Sequence, residues 1–373
     1  MAGIYIHIPF CKQACHYCDF HFSTSLNKRD AMLGAISKEL ILRKKELTQP
    51  IETIYFGGGT PSLLTPQEID FVLQTVYDNF TVVDTPEITL EANPDDLTDA
   101  KITALASSKI NRLSIGIQSF FEEDLKLMNR AHNQTEALDC ITKAKQYFKN
   151  ISIDLMYGIP QMSPQRWQEN IEKALSLEVP HISCYVLTVE PKTALERFIK
   201  NGIIRPVDDA VAARHHAVLV EKTAAVGYHN YEFSNFCIPG WESQSNSSYW
   251  MRKPYLGVGP SAHSYDVVSR SWNVSNNPRY IKSIEKGVLP LTTEILTTEN
   301  QYNEYIMTRL RTAGGVSIDE IGAFFGLKFQ EYLKQNMQQH IALGLLICEG
   351  DVIKATKKGK FLTDGIAADL FMI

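Results

Sequence analysis

The chain has 373 residues, of which 44% are hydrophobic, so it can bury a large core divided between one large and one smaller domain. Its formal net charge of −5 and its pI of about 6.1 give no basic footprint for nucleic acid. No apolar stretch approaches the roughly 18–20 residues that cross a bilayer, and the N-terminus lacks the features of a secretory signal. We therefore expect a cytoplasmic protein with no transmembrane segment and no nucleic-acid partner.

Short apolar runs alternate with amphipathic helical segments, which is typical of β/α units around a parallel sheet. A capping box at Thr65–Glu68, with proline at the first helical position, predicts a helix after the second strand. Six units are too few for a closed eight-stranded barrel, so we expect an α/β fold, a partial (β/α)6 barrel open on one side. The predicted strands are residues 4–8, 53–56, 87–91, 112–117, 151–156 and 181–186.

Three cysteines, Cys11, Cys15 and Cys18, follow the first strand in a C-x3-C-x2-C pattern. Three thiolates can bind three irons of a 4Fe–4S cube, which normally takes four cysteines. Position 20 is Phe20 and the remaining cysteines are isolated, so one iron would stay open to a small molecule. A structural zinc site would need a second ligand pair further along the chain, and an odd total of seven cysteines disfavours disulfides.

In a barrel of this type the chemistry lies at the carboxyl ends of the strands. Gly57, Gly58, Gly59 and Thr60 follow the second strand. Such a run either forms an ordinary tight turn or lets the backbone approach a ligand with its amide N–H groups free. Its position opposite the cysteines favours a ligand site.

Three consecutive strands each carry one polar side chain near an end, namely Glu91, Gln118 and Asp154. Burying such a group without a partner costs roughly 1–3 kcal/mol. Each of them either caps a helix, pairs with Arg112 or Arg130, or faces a ligand. Their shared location beside the cysteines favours the ligand.

These segments resemble the radical S-adenosylmethionine (SAM) proteins. Within them they are most similar to the branch that contains oxygen-independent coproporphyrinogen III dehydrogenase and the HemW-type heme chaperones. The resemblance covers essentially the whole chain. It rests on residues 5–11 with the two following cysteines, and on residues 57–62, 113–120, 129–130 and 154–160.

The resemblance implies that SAM binds the open iron and that one electron from the reduced cluster cleaves it to a 5′-deoxyadenosyl radical. It also implies a reductant of the flavodoxin or ferredoxin type. By the family pattern Gly58, Gly59 and Glu91 hold the methionyl end. The other implied cofactor residues are Tyr5, Tyr17, Gly57, Thr60, Gln118, Arg130 and Asp154.

Two features favour the chaperone branch, in which a protein binds heme and transfers it to an acceptor protein. The dehydrogenases carry a further cysteine where this chain has Phe20, and they carry an N-terminal extension before the first strand. A third feature that favours the chaperone branch is the segment 244–250, which resembles the His-Asn-x-x-Tyr-Trp heme motif of the chaperones. The alternative is an oxygen-independent coproporphyrinogen III dehydrogenase or a related enzyme acting on a tetrapyrrole.

The motif departs from the family at Ser245, which replaces its histidine. Serine is a poor axial ligand for heme iron, so another group would have to hold heme, and His263 and His229 are the nearest candidates. Each of them is either that ligand or an ordinary hydrogen-bonded histidine. The remaining motif residues, Asn246, Tyr249 and Trp250, either contact heme or pack against the barrel.

The C-terminal part has a different pattern. Ser317–Glu320 begins a predicted helix that ends at Gly326, a second helix covers residues 328–340, and residues 345–355 read as a hairpin. This order predicts a winged-helix-like domain, which we interpret as a lid or docking module because a short lysine run is its only basic cluster. The predicted division is a barrel over 1–235, a connecting segment over 236–299 and this domain over 300–373.

Overall fold

The first half of the chain builds a parallel sheet whose strands are neighbours in chain order. The computed structural model describes residues 1–373, and it confirms all six predicted strands, most of them longer at one or both ends. The α/β partial barrel is therefore as expected. The strands are β1 Ala2–Ile8, β2 Ile51–Gly58, β3 Val82–Ala92, β4 Arg112–Gln118, β5 Asn150–Tyr157 and β6 His181–Val186.

Helices cover the outer face of this sheet, and local caps fix where several of them begin. Thr65 and Asn133 each form a complete capping box, and Ser163 accepts from the N–H of Arg166. None of the helices combines the length and apolar character needed to cross a membrane. They are α1 Arg29–Leu42, α2 Pro66–Asn79, α3 Asp99–Ala106, α4 Glu122–Met128, α5 Gln134–Ala144, α6 Pro164–Ser176, α7 Ala194–Lys200 and α8 Asp209–Ala225.

The sheet continues beyond both edges of the six-stranded unit to a total of twelve strands. A short strand, β9 Tyr255–Val258, lies parallel to β1, and three antiparallel strands follow it. Two more strands extend the other edge of the sheet from β6. The segment 236–299, expected to be a connection, thus contributes four complete strands and most of a fifth to the sheet. The added elements are β7 His229–Asn230, β8 Asn235–Cys237, α9 Gln244–Trp250, β9 Tyr255–Val258, β10 His263–Tyr265, β11 Ser269–Asn273, α10 Asn277–Glu285 and β12 Leu291–Ile295.

A buried carboxylate ties this addition to the barrel. Glu39 of α1 is 0% exposed; its Oε1 accepts from Arg43 Nη1 at 3.0 Å and Asn273 Nδ2 at 2.7 Å. Its Oε2 accepts from the Gly259 N–H at 2.9 Å and the Tyr280 hydroxyl at 2.5 Å. Because four donors satisfy one carboxylate, Glu39 fixes the turn between β9 and β10 against α1.

A second buried carboxylate closes the amino end of the barrel. Glu87 of β3 accepts from the backbone N–H groups of Gln244 at 3.0 Å and Ser245 at 2.9 Å, at the start of α9. The Arg112 guanidinium lies 4.0 Å away. A negative charge at a helix N-terminus is favourable, so Glu87 stabilises α9 in a position that closes the amino end of the barrel, which we call the barrel floor. The gap left between α9 and the strands is only about 10 Å³.

The C-terminal part has its own core of 16 buried residues, beside a main core of 61. Its two predicted helices and its hairpin are present, joined by a short strand into a three-stranded sheet. The predicted domain boundaries remain a prediction. The elements are α11 Thr298–Leu310, β13 Val316–Ser317, α12 Ile318–Phe325, α13 Leu327–Ala342, β14 Leu346–Glu349, β15 Val352–Ala355 and α14 Thr363–Asp369.

Candidate functional site

A cavity of about 650 Å³ lies at the carboxyl end of the parallel strands, and we call it the cysteine cavity. It brings together most of the residues singled out in the sequence. Since the loop after β1 and the strands β2 to β6 all contribute, the sheet gathers side chains that are far apart in the chain. Its lining includes Cys11, Cys15, Cys18, Tyr17, Gly58, Gly59, Thr60, Glu91, Gln118, Arg130 and Asp154.

The loop that carries the three cysteines is fastened to two neighbouring loops. Asn129 adopts a left-handed conformation with φ 57° and donates from Nδ2 to the Ala14 carbonyl at 2.7 Å. Gln13 Nε2 donates in return to the Asn129 carbonyl at 2.7 Å. On the other side, Lys12 Nζ pairs with Asp95 at 2.7 Å. The thiols therefore sit on a loop whose backbone is held from two directions.

The thiols are partly buried, and burial raises the pKa of Cys11 and raises that of Cys18 to about 12. No three His, Cys, Asp or Glu side chains converge on a point that could hold a single metal ion. An iron–sulfur cube does not need such a point, because each thiolate binds a different iron. Three thiols on one cavity wall fit that requirement.

Arg130 places a positive charge beside the cysteines. Its Nη1 lies 3.4 Å from Cys15 Sγ, and its Nη2 donates to Asn93 Oδ1 at 2.6 Å and to the Gly116 carbonyl at 2.9 Å. Its Nε is buried and has no partner. A buried donor without an acceptor is costly, so this atom is available to a polar ligand.

Two carboxyl groups face the same cavity. Glu91 accepts from the Tyr55 hydroxyl at 2.7 Å, and burial raises its pKa to about 7. Asp154 accepts from Ser114 Oγ at 3.3 Å, and burial raises its pKa to about 6. Both groups can thus accept hydrogen bonds from an amine or a hydroxyl, and both titrate close to neutral pH. Neither Glu91 nor Asp154 forms an ion pair with an arginine, which was one of the alternatives that the sequence allowed.

Gln118 is the last residue of β4 and adopts a left-handed backbone with φ 67°. The pairing of β4 with β5 shifts its register between Gly116 and Gln118, so one residue bulges out of the ladder. A non-glycine residue in this conformation is strained, and such strain is concentrated at functional sites.

The glycine run does not offer free amides, contrary to expectation. The Gly59 N–H donates to the Ile8 carbonyl at 2.9 Å and the Thr60 N–H donates to the Phe10 carbonyl at 2.6 Å, while the Gly58 N–H faces Glu91. A Cβ on Gly59 would lie 2.6 Å from the Phe10 carbonyl oxygen. Glycine is required here because β2 passes close to the start of the cysteine loop.

A second cavity of about 410 Å³ adjoins the first, and we call it the histidine cavity. It shares Asp19, Phe20, Gly58 and Glu91 with the cysteine cavity. Tyr5 and Tyr249, predicted as cofactor and heme contacts, lie here rather than beside the cysteines. The full lining is Tyr5, His7, Asp19, Phe20, His21, Gly58, Glu91, Tyr249, Tyr255, Ser261, Ala262 and His263.

Three predicted site residues line neither cavity. Gly57 lies between rings, where a Cβ would be 2.9 Å from Tyr5 Cε2 and from Tyr55 Cε1. Asn246 contacts Tyr231, and the Trp250 ring lies 5.8 Å beneath the Arg311 guanidinium of the C-terminal domain. The heme-motif-like segment is therefore divided between the barrel floor and the domain contact.

Sequence reasoning missed several polar residues that support the site, among them Tyr55, Asn93 and Ser114. Each lies in or directly after a strand and hydrogen-bonds a predicted residue. The two-residue periodicity of a β-strand could have identified two of them. Tyr55 lies two positions before Gly57 and Ser114 lies two positions before Gly116, so the members of each pair face the same side of the sheet.

Comparisons with known proteins agree with this geometry. Residues 5–174 match the Radical SAM superfamily model and residues 296–362 match the HemN C-terminal domain model. The chain is 34% identical over 367 residues to the heme chaperone HemW of Bacillus subtilis (strain 168), covering 97% of each chain. It is 32% identical over 375 residues to that of Lactococcus lactis subsp. lactis (strain IL1403), again covering 97% of each.

The chain belongs to the HemW family of radical SAM proteins. Membership in the radical SAM superfamily implies a 4Fe–4S cluster and SAM. Among solved structures, the coproporphyrinogen III oxidase HemN of Escherichia coli superimposes with a TM-score of 0.84 at 21% identity, covering 100% of this chain and 90% of that one. That likeness establishes a shared fold.

Proposed function

We propose that this HemW-family protein is a heme chaperone, which binds heme and passes it to an acceptor protein in the cytoplasm. The observation that carries the proposal is the similarity to proteins named heme chaperone HemW along 97% of the chain. The two adjoining cavities at the carboxyl end of the sheet support it, because they provide one site for a cluster with its cofactor and a separate site for cargo.

In this proposal Cys11, Cys15 and Cys18 hold the 4Fe–4S cluster, and the orphaned Nε of Arg130 binds a polar group of SAM. Glu91 and Asp154, which line the same cavity, would accept hydrogen bonds from the amine and hydroxyl groups of SAM. When bound, the cluster and SAM supply one-electron chemistry. The reductant would be a small flavodoxin- or ferredoxin-type protein.

Arg130 and the two carboxyl groups have complementary tasks. The guanidinium is permanently charged and stays next to the thiolates, whose negative charge it offsets. Burial raises the pKa of Glu91 to about 7 and keeps this group partly protonated near neutral pH, which reduces its repulsion for an anionic cluster. The walls of the cavity thus limit the net negative charge around three thiolates.

The test is an anaerobic titration of the cluster-reconstituted protein with hemin, followed at the Soret band, and then mixing with an apo-globin as an artificial acceptor. We expect saturation near one heme per chain and transfer to the globin. Absence of saturable binding would overturn the proposal.

An assay for protoporphyrinogen formation from coproporphyrinogen III separates the chaperone from the dehydrogenase alternative. Where the dehydrogenases carry a further cysteine, Phe20 is 66% exposed at the edge of both cavities. We therefore expect no turnover with SAM and a reduced cluster. Measurable turnover would favour the enzyme.

A further inference from the structure

We propose that the histidine cavity is the heme site and that His263 is the axial ligand of the heme iron. This inference rests on the proposed heme binding and adds its location. Three histidines, His7, His21 and His263, line this cavity, whereas Ser245 lies in the barrel floor. Histidine is a common axial ligand of heme iron.

His7 is excluded as the ligand by its own contacts. It is 6% exposed, its Nδ1 lies 3.2 Å from the Tyr5 hydroxyl, and its Nε2 lies 2.9 Å from the His21 carbonyl oxygen. Both ring nitrogens are therefore occupied. The Gly58 backbone also packs closely against the His7 ring, since a Cβ on Gly58 would lie 2.5 Å from its Nδ1.

His21 is a poorer ligand than His263. Its Nε2 lies 2.7 Å from Asn277 Oδ1, an oxygen that can only accept, so Nε2 carries the proton. The remaining lone pair is on Nδ1, next to the side chain's own Cβ, where a flat macrocycle meets steric hindrance.

His263 has the properties that a ligand needs. Its side chain is exposed, makes no hydrogen bond, and stacks on Trp272 with ring centroids 5.8 Å apart. Partial burial and the nearby Arg270 lower its pKa, which favours the neutral, metal-binding imidazole. Both nitrogens are free, so Nε2 is available to iron.

The backbone that carries His263 is rigid. The turn before it includes Gly259 with φ 100° and Ser261 with φ 66°, and the Gly259 N–H donates to the buried Glu39 carboxylate at 2.9 Å. The Asn273 N–H donates to the Ala262 carbonyl at 3.0 Å. A ligand on a backbone held in this way needs little ordering when heme binds.

The walls suit a flat apolar ring. Tyr249 and Tyr255 line the cavity with ring centroids 4.6 Å apart in an edge-to-face pair, and Phe20 is a large exposed aromatic at its edge. Asp19 lines the same cavity, and its carboxylate disfavours anions inside it. The heme propionates would therefore point to solvent, with the apolar edge of the ring turned inward.

The shared wall gives the two cavities a physical connection. Phe20 and Glu91 border both of them, so an occupant of the cysteine cavity changes the surface that heme contacts. Heme affinity should then depend on whether the cluster and SAM are present.

The experiment is an anaerobic hemin titration of the cluster-reconstituted protein, its His263→Ala variant and a matched His229→Ala control. His229 is an exposed histidine at the sheet edge and lines neither cavity. We expect His263→Ala to weaken heme binding roughly tenfold or more and to shift the Soret band. The control should bind as the wild type does, and added imidazole should restore the wild-type spectrum to His263→Ala.

The outcomes separate this inference from the function on which it rests. Wild-type binding with an unchanged affinity and Soret band in His263→Ala would overturn the ligand assignment alone. Loss of binding in His21→Ala, with His263→Ala unaffected, would overturn it in favour of His21. No saturable binding by the wild type would overturn both proposals. Iron content and the far-UV circular dichroism spectrum of each variant report whether it is folded and loaded.

Discussion

The two ends of the barrel use the same residue type on the same strand for opposite purposes. Glu87, in the middle of β3, accepts hydrogen bonds from the start of α9 and lies beside Arg112. Glu91, four residues later on the same face, borders both cavities and has a pKa raised to about 7. The Glu87 carboxylate thus stabilises the closed amino end of the barrel, whereas the Glu91 carboxyl group faces the cavities at its carboxyl end. Functional groups are expected at the carboxyl end of a barrel of this type.

The largest effect should come from the cysteines at the open end. Replacing Cys11, Cys15 or Cys18 with alanine should abolish cluster assembly, because each thiolate is expected to hold one iron. Iron and acid-labile sulfide in the anaerobically reconstituted protein measure this. Cys348→Ala is the matched control, since that thiol is exposed and lies in the C-terminal hairpin. Iron and sulfide contents equal to wild type in the three variants would contradict the assignment.

At the floor, Glu87→Gln should lower the free energy of unfolding by roughly 3 kcal/mol, because it leaves Arg112 without its counter-charge and turns an amide toward the N–H donors of α9. Urea unfolding followed by circular dichroism measures it. A change smaller than that of an exposed control such as Glu299→Gln would mean that α9 is not held by this carboxylate.

Restoring the family histidine tests the same floor. The gap around Ser245 is only about 10 Å³, so Ser245→His overpacks it and should destabilise the protein by about 1–3 kcal/mol. We expect no gain in heme affinity. A tighter heme complex in Ser245→His would show instead that the serine marks a lost ligand.

Glu91→Gln should raise the free energy of unfolding, whereas Glu87→Gln should lower it. Because the folded-state pKa of about 7 exceeds the unfolded value of 4.5, the folded protein holds a proton that the unfolded chain releases. Wild-type stability therefore falls as pH rises from about 4.5 to about 7. The variant does not lose stability in this way, because glutamine has no proton to release. It should be about 1–2 kcal/mol more stable than the wild type at pH 8, and this difference in stability should become smaller toward pH 5. A gap that does not vary with pH would contradict the raised pKa.

The smallest effect concerns the anchor of the cysteine loop. Asn129→Gly keeps the left-handed backbone but removes the side-chain bond to Ala14, which costs about 1 kcal/mol locally. We expect faster loss of iron to a chelator with little change in melting temperature. Asn129→Ala should be worse, since alanine also strains the backbone. Equal iron loss in wild type and both variants would show that the anchor is not needed.

The sequence was sufficient for the parallel unit because its strands are continuous apolar runs with clear helix caps between them. It did not reveal β9, since Tyr255–Val258 is only four residues long and its place beside β1 depends on Glu39, which is 216 positions before it. Short strands added through tertiary contacts leave no periodic signal.

The candidate site was predicted unevenly for a similar reason. Cysteine spacing and strand-end polar residues can be read directly from the chain, and they meet in one cavity. The orientation of the Gly59 and Thr60 amides depends on how closely the loop after β1 approaches, so it was predicted wrongly. The position of Tyr249 in a cavity apart from Asn246 depends on where α9 docks.

Three thiolates in the cysteine cavity should leave one iron of the cluster open for SAM. The most direct measurement is electron paramagnetic resonance of the reduced, reconstituted protein, recorded with and without SAM. We expect a 4Fe–4S signal whose g-values change when SAM is added and which is absent from Cys15→Ala. A 4Fe–4S signal that is identical with and without saturating SAM, or that persists in Cys15→Ala, would contradict it.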